Sequence, residues 1–186
     1  MRGMRPAGRR GDRTSKLAAA ELHDRVTRRI ATEFLRHLVE AVSYKVHTVL
    51  TDNGTYFTHP SGDGWSTADI RRMIDAGETF RCHAFELACA QDSIDHRLTK
   101  PNHPWTNGQV ERMNRTLKEA TVRRYHYETH GKLRAHLKTF LDAYNFAKRL
   151  KTLRGRTVFE FITEKWTSEP QRFRLHPNHL MPKPNT

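Results

Sequence analysis

Apolar residues recur at helical spacing through Ile30, Phe34, Leu38 and Val42, which predicts a helix over 25–42 with Asp24 as its N-cap. Ahead of it, residues 16–22 read as a short strand. The run Val46-His47-Thr48-Val49-Leu50 is apolar and β-branched, so a buried strand is predicted there, closed by the turn signal Asp52-Asn53-Gly54. Short helices follow over 67–76 and 81–91, the second with Ala84, Leu87 and Ala88 on one face, and 94–98 reads as another strand. Thr106 and Gln109 form a Ser/Thr-x-x-Gln capping box, opening a helix that buries Val110, Met113, Leu117 and Ala120. The next helix, over 133–147, carries Leu133, Leu137, Phe140, Leu141 and Tyr144 on one face. Thr157 and Glu160 repeat the capping box before Phe161 and Ile162. Phe85, Phe140 and Tyr144 read as core. Strands and helices in this succession predict an α/β fold.

Charge changes the picture. The 186 residues hold 33 Lys and Arg against 20 Asp and Glu, net +13. Residues 1–30 are net +6 and residues 100–186 net +11, flanking a slightly acidic middle. Such a distribution favours a polyanionic partner, nucleic acid above all. No apolar run approaches the roughly 20 residues of a membrane span, and no apolar stretch follows the first basic residues as in a secretory signal. Two cysteines exclude a disulfide scaffold and suit a reducing cytoplasm, which sets the expected location, nucleoid-associated when bound to DNA. Residues 1–11, MRGMRPAGRRG, lack periodicity and are expected to be a disordered basic leader. Residues 58–79, rich in Gly and acids, read as an insertion or long loop. The tail over 166–186 carries four prolines and is expected to be extended.

Asp52 stands at the carboxyl end of a buried strand, where open α/β sheets place their sites. A carboxylate there can reach a metal, or simply close an Asx-turn; both readings stand. Glu111 lies in the first turn of a capped helix, where an acid is favourable to the dipole without further purpose. Positions 111, 114, 115 and 118 nevertheless set Glu, Asn, Arg and Lys on one helical face, away from the Val110–Met113–Leu117 stripe. Cys82, His83, Cys89, His96 and His103 cluster in sequence, but zinc sites space paired ligands two to four residues apart, so two small core cysteines fit as well. Trp105 suits base stacking or a packing staple equally. His126 and His130 read as DNA contacts or solvated groups.

Two segments together resemble a known family. They are His47-Thr48-Val49-Leu50-Thr51-Asp52-Asn53-Gly54, and Lys100-Pro101 with Pro104-Trp105-Thr106-Asn107-Gly108-Gln109-Val110-Glu111-Arg112-Met113-Asn114-Arg115-Thr116-Leu117-Lys118. They are similar to the integrase catalytic core of retroviral integrases and bacterial insertion-sequence transposases, DDE enzymes on an RNase H-like fold. Leu153-Arg154-Gly155-Arg156-Thr157-Val158-Phe159-Glu160 looks like the closing segment, so the likeness covers 12–165. The resemblance implies a mixed sheet with flanking helices. It makes Asp52 and Glu111 the second and third catalytic acids and ligands of Mg²⁺ or Mn²⁺, two ions in a complete member. It places Lys100, Asn107, Gln109, Asn114, Arg115 and Lys118 on DNA, and makes element ends and target DNA the substrates. A homo-oligomer or the full-length transposase is the implied protein partner, and no membrane is. Two metal ions suit phosphoryl transfer because one activates the attacking oxygen and the other stabilises the leaving one.

The sequence departs from the family twice. Asp52 and Glu111 are further apart than in retroviral integrases, which the insertion over 58–79 explains. The first acid has no match: Asp12, Glu21 and Asp24 are the upstream candidates, and Asp12-Arg13-Thr14-Ser15 resembles the turn between the family's second and third strands. The expectation is therefore a partial core lacking its first strands, with the 16–22 strand left to improvise a pairing. Two functions follow. One is an insertion-sequence transposase, truncated and inactive in this copy. The other is a non-catalytic remnant that binds DNA or the transposase.

Overall fold

The computed structural model describes residues 5–11, 14–59, 65–99 and 108–180. The chain divides into two units. The first takes the described parts of 1–8, 23–40 and 46–107; the second takes 9–22, 41–45 and those from 108 onward.

The first unit is built on helix α1 (Arg28–Ala41) and on strands β3 (Thr48–Thr51) and β4 (Asp95–Leu98). β3 and β4 pair in parallel, Thr48 opposite Asp95 and Thr51 opposite Leu98. Ala31 and Leu35 of α1 pack with Val49, Phe85, Ala88, Cys89 and Ile94. Each large apolar side chain fully buried there contributes about 1.5–3 kcal/mol. Of the expected stripe Phe34 and Val42 are buried, but Ala31 and Leu35 are buried in place of Ile30 and Leu38. The helix also starts later than expected. Thr27 Oγ1 accepts from the Ile30 amide at 3.2 Å, which makes Thr27 the cap in place of Asp24. Within the 58–79 insertion, residues 60–64 lie outside the described set, but 67–75 form helix α2 (Thr67–Asp75) under a Ser66–Asp69 capping box. Its Ile70 and Met73 pack with Ala90 of helix α3 (Ala84–Gln91), so this stretch has a small core of its own.

Strands β1 (Arg5–Gly11) and β2 (Ala18–His23) form a separate two-stranded sheet. Residues 5–11 were expected to be disordered. Strand pairing uses backbone groups and needs no apolar periodicity, which is why composition failed to reveal it. β1 also supplies a strand ahead of the turn around Thr14 and Ser15, where none was expected. Among the described residues the strands pair two by two, β1 with β2 and β3 with β4.

The second unit contains helices α4 (Gly108–Ala120), α5 (His130–Asp142) and α6 (Val158–Ser168). Leu153, Val158 and Ile162 form its core, with Leu17, Tyr44, Tyr144 and Phe173 against them. The helix expected over 133–147 changes character at Ala143–Ala147, which is a π segment. That turn carries buried Asn145, whose Oδ1 accepts from the Ala18 amide at 3.0 Å while its Nδ2 donates to the Ala18 carbonyl at 2.9 Å. The amide thus completes β2 where the sequence predicted an unmatched strand. Arg154 and Gly155 both have positive φ, turning the chain so that Leu150 bridges Arg156. The Thr157–Glu160 capping box forms as predicted, closed from both sides at 3.1 and 2.8 Å. Thr157→Ala is expected to cost about 1 kcal/mol in denaturant unfolding.

The tail beyond residue 165 is not extended. α6 continues to Ser168, short helical turns follow at Pro170–Arg172 and Pro177–Leu180, and Phe173 bridges Tyr44 with the rings edge-on at 6.1 Å. Prolines start such turns well, and the apolar Phe173 anchors the segment. Residues 181–186 lie outside the described set.

Candidate functional site

Alternation along β3 decides which side chains face the core. Val49 and Thr51 point inward, each 5% exposed, and Asp52 then emerges exposed at the strand's carboxyl end. Asp52 Oδ1 accepts from the Gly54 amide at 2.9 Å, so the Asx-turn forms. Gly54 does more than turn the chain. A Cβ at that position would lie 2.8 Å from Asp52 Oδ1, so any side chain would push the carboxylate aside.

The loop after Asp52 is fastened by side chains at short intervals. Thr51 Oγ1 and His96 Nε2 are 2.8 Å apart, and Asn53 Nδ2 donates to the Thr99 carbonyl at 3.2 Å. The Thr55 carbonyl receives Arg28 Nε at 3.2 Å and lies 3.2 Å from His83 Nε2. Phe57 meets Phe85 edge-on at 5.2 Å, and Thr58 Oγ1 donates to Glu86 Oε1 at 3.0 Å. No local pattern pointed to this bracing. Thr51, His96, Glu86 and Thr58 are polar residues in or beside apolar segments, and their roles depend on contacts between elements. His83, one of the five Cys and His residues that cluster in sequence, serves as the N-cap of α3, accepting from the Phe85 amide. Cys89 is buried in the core and Cys82 half-buried beside α2; neither forms a disulfide.

Glu111 lies in the first turn of α4, in the second unit. It is exposed, as are Arg115 and Lys118, one and two turns further on. Asn114 is half-buried, and its Oδ1 is out of solvent with no hydrogen-bond partner among the described residues. It is thus more enclosed than Arg115 and Lys118. Lys100 and Asn107 lie outside the described residues, as do Asp12, His103, Trp105 and the Thr106 cap. Nothing is described of the Gln109 side chain. Asp52 and Glu111 belong to different units, so each is described in its own surroundings.

Among the described residues, no three His, Cys, Asp or Glu side chains gather to hold a metal ion. As donors the two acids nonetheless suit Mg²⁺: both are exposed carboxylates, and neither is in an ion pair among the described residues.

Residues 92–157 match the integrase core domain family, a stretch that contains Glu111 but not Asp52. The catalytic core domain of BIV integrase is similar in structure, with a TM-score of 0.59 and 20% identity over 89% of this chain and 97% of that one. A chain of the simian T-cell lymphotropic virus intasome, solved in complex with PP2A regulatory subunit B56 gamma, gives 0.58 and 20% identity over 95% of this chain. The present chain spans about half of that chain's length, 51%. No curated protein sequence matches.

Proposed function

We propose that this chain, whose α/β fold is similar to integrase catalytic cores, is itself an integrase-type core that derives from an insertion-sequence transposase, with metal-dependent DNA strand cleavage and transfer as its reaction. The observation that carries the reading is the Asp52 carboxylate, presented at the end of a parallel strand and braced by the Gly54 amide. By the resemblance, Asp52 and Glu111 are each ligands of divalent metal, Mg²⁺ or Mn²⁺, which when bound would activate the attacking oxygen and stabilise the leaving one. Asp52 offers a carboxylate held by the Gly54 amide, and the helix of Glu111 also offers Arg115 and Lys118 to phosphates. DNA is the substrate on this reading, and a second copy or a full-length transposase the protein partner. The 186-residue chain alone is inactive because only two acids match.

Mn²⁺ titrated into isotope-labelled protein tests the site. Resonances around Asp52 and around Glu111 should broaden, and Asp52→Asn or Glu111→Gln should each abolish the effect in its own segment. A segment that stays sharp would remove its acid from the ligand set.

A second reading keeps DNA binding and drops catalysis, favoured by the unmatched first acid. Both readings require binding to duplex DNA that weakens steeply with salt, because each neutralised phosphate releases counterions. Lys118→Ala should reduce the magnitude of the log K against log salt slope by about one unit. Affinity that stays flat between low and physiological salt would contradict both.

A further inference from the structure

We infer that His96 is a positioning residue for the Asp52 site, holding the end of β3 so that the carboxylate points outward. The inference rests on the reading of Asp52 as a metal ligand.

Strand β3 has four residues and, among the described residues, one strand partner, β4. Strand ends fray when only one edge is paired, and Asp52 follows the last ladder residue. Two bonds fix that residue. The Thr99 amide donates to the Thr51 carbonyl at 2.8 Å, and Thr51 Oγ1 lies 2.8 Å from His96 Nε2. Because successive side chains leave a strand on opposite faces, a Thr51 held inward keeps Asp52 outward. Rotation at Thr51 would carry the carboxylate with it.

His96 is itself held. Its side chain is 3% exposed, its ring meets Phe85 edge-on at 5.1 Å, and its Nδ1 is 3.9 Å from Glu86 Oε1. That last distance exceeds a hydrogen bond and leaves an electrostatic contact. Glu86 Oε1 in turn receives the Thr58 hydroxyl. The chain Thr58–Glu86–His96–Thr51 therefore runs from the far side of the Asp52 loop, through α3 and β4, back to the residue before Asp52. A buried histidine beside a buried carboxylate is an expensive way to fill a core that Phe85, Ile94 and Val49 otherwise make apolar. A partner that orients a metal ligand accounts for the expense, since such partners typically tune metal affinity 10–100-fold.

The test uses the 186-residue chain and Mn²⁺ alone, with binding read from water-proton relaxation and folding from a thermal melt. Asp52→Asn should abolish the binding. His96→Phe keeps the ring against Phe85 but loses Nε2, and should weaken binding about tenfold. His96→Gln, whose amide nitrogen can reach Thr51, should restore most of it. Thr51→Val removes the same bond from the other end and should match His96→Phe, which covers the case in which His96→Phe does not fold. Exchange of the Thr99 amide in the metal-free protein should quicken in both weakened variants. If Asp52→Asn abolishes binding while Thr51→Val and a folded His96→Phe bind as the parent does, the inference falls and the Asp52 reading survives. If Asp52→Asn binds like the parent, the Asp52 reading fails and the inference with it.

Discussion

Mixed with Mg²⁺ or Mn²⁺ and a donor-end duplex, the 186-residue chain is expected to leave DNA unjoined. On the proposed reading, two-metal phosphoryl transfer takes three acids, and the first of them has no match in the sequence. Adding an upstream strand that carries an aspartate should, on that reading, confer strand transfer. In that longer protein, Asp52→Asn or Glu111→Gln should each reduce joining by about 10³-fold, the rate equivalent of several kcal/mol of transition-state stabilisation. The assay is strand transfer by both proteins on labelled ends. Metal-dependent joining by the short chain, lost in Asp12→Ala, would instead make Asp12 the first acid.

The second large effect concerns the core beneath Asp52. Phe85 is fully buried and touches both Phe57 of the loop and the His96 ring. Phe85→Ala should lower unfolding stability by about 3–5 kcal/mol, the transfer term of the lost ring plus the cavity it leaves. Chemical denaturation with fluorescence or circular dichroism would measure it. A loss below about 1 kcal/mol would mean that the surrounding side chains collapse into the space. Because Phe85 also seats His96 and Phe57, the folded fraction of this variant should show weakened Mn²⁺ binding.

Local patterns were legible wherever a backbone group and its partner lie close in sequence. Asp52-Asn53-Gly54 predicted a turn, and the Gly54 amide on Asp52 is that turn; Thr157 and Glu160 predicted a capping box and form one. Where two local signals competed, sequence chose wrongly. Asp24 and Thr27 can both cap α1, and the structure uses Thr27. The stripe of α1 was placed by spacing on Ile30, Phe34, Leu38 and Val42; Phe34 and Val42 are buried, while Ala31 and Leu35 take the places expected of Ile30 and Leu38. What depends on distant partners was not legible. Nothing in Asp95-His96-Arg97 marks His96 as a buried contact of Thr51, since that role requires β3, β4 and α3 together. Strand β1 was missed for a related reason: backbone pairing leaves no trace in composition.

The reciprocal bond between Asn145 and Ala18 bears on the order in which the chain can fold. The two residues are 127 positions apart, and both backbone groups of Ala18 are satisfied by one side chain. In a strand, the amide and carbonyl of adjacent residues point to opposite sides, so the Asn145 amide fits Ala18 and neither neighbour. It therefore fixes the register of β2. Contacts this remote in sequence close a long loop before they return any stabilisation, and they form slowly. During synthesis β2 leaves the ribosome before Asn145 does, and it lacks this tie until the π turn at Ala143–Ala147 has been made. A segment made first thus waits for one made 127 residues later, and until then the Ala18 backbone groups are left to solvent.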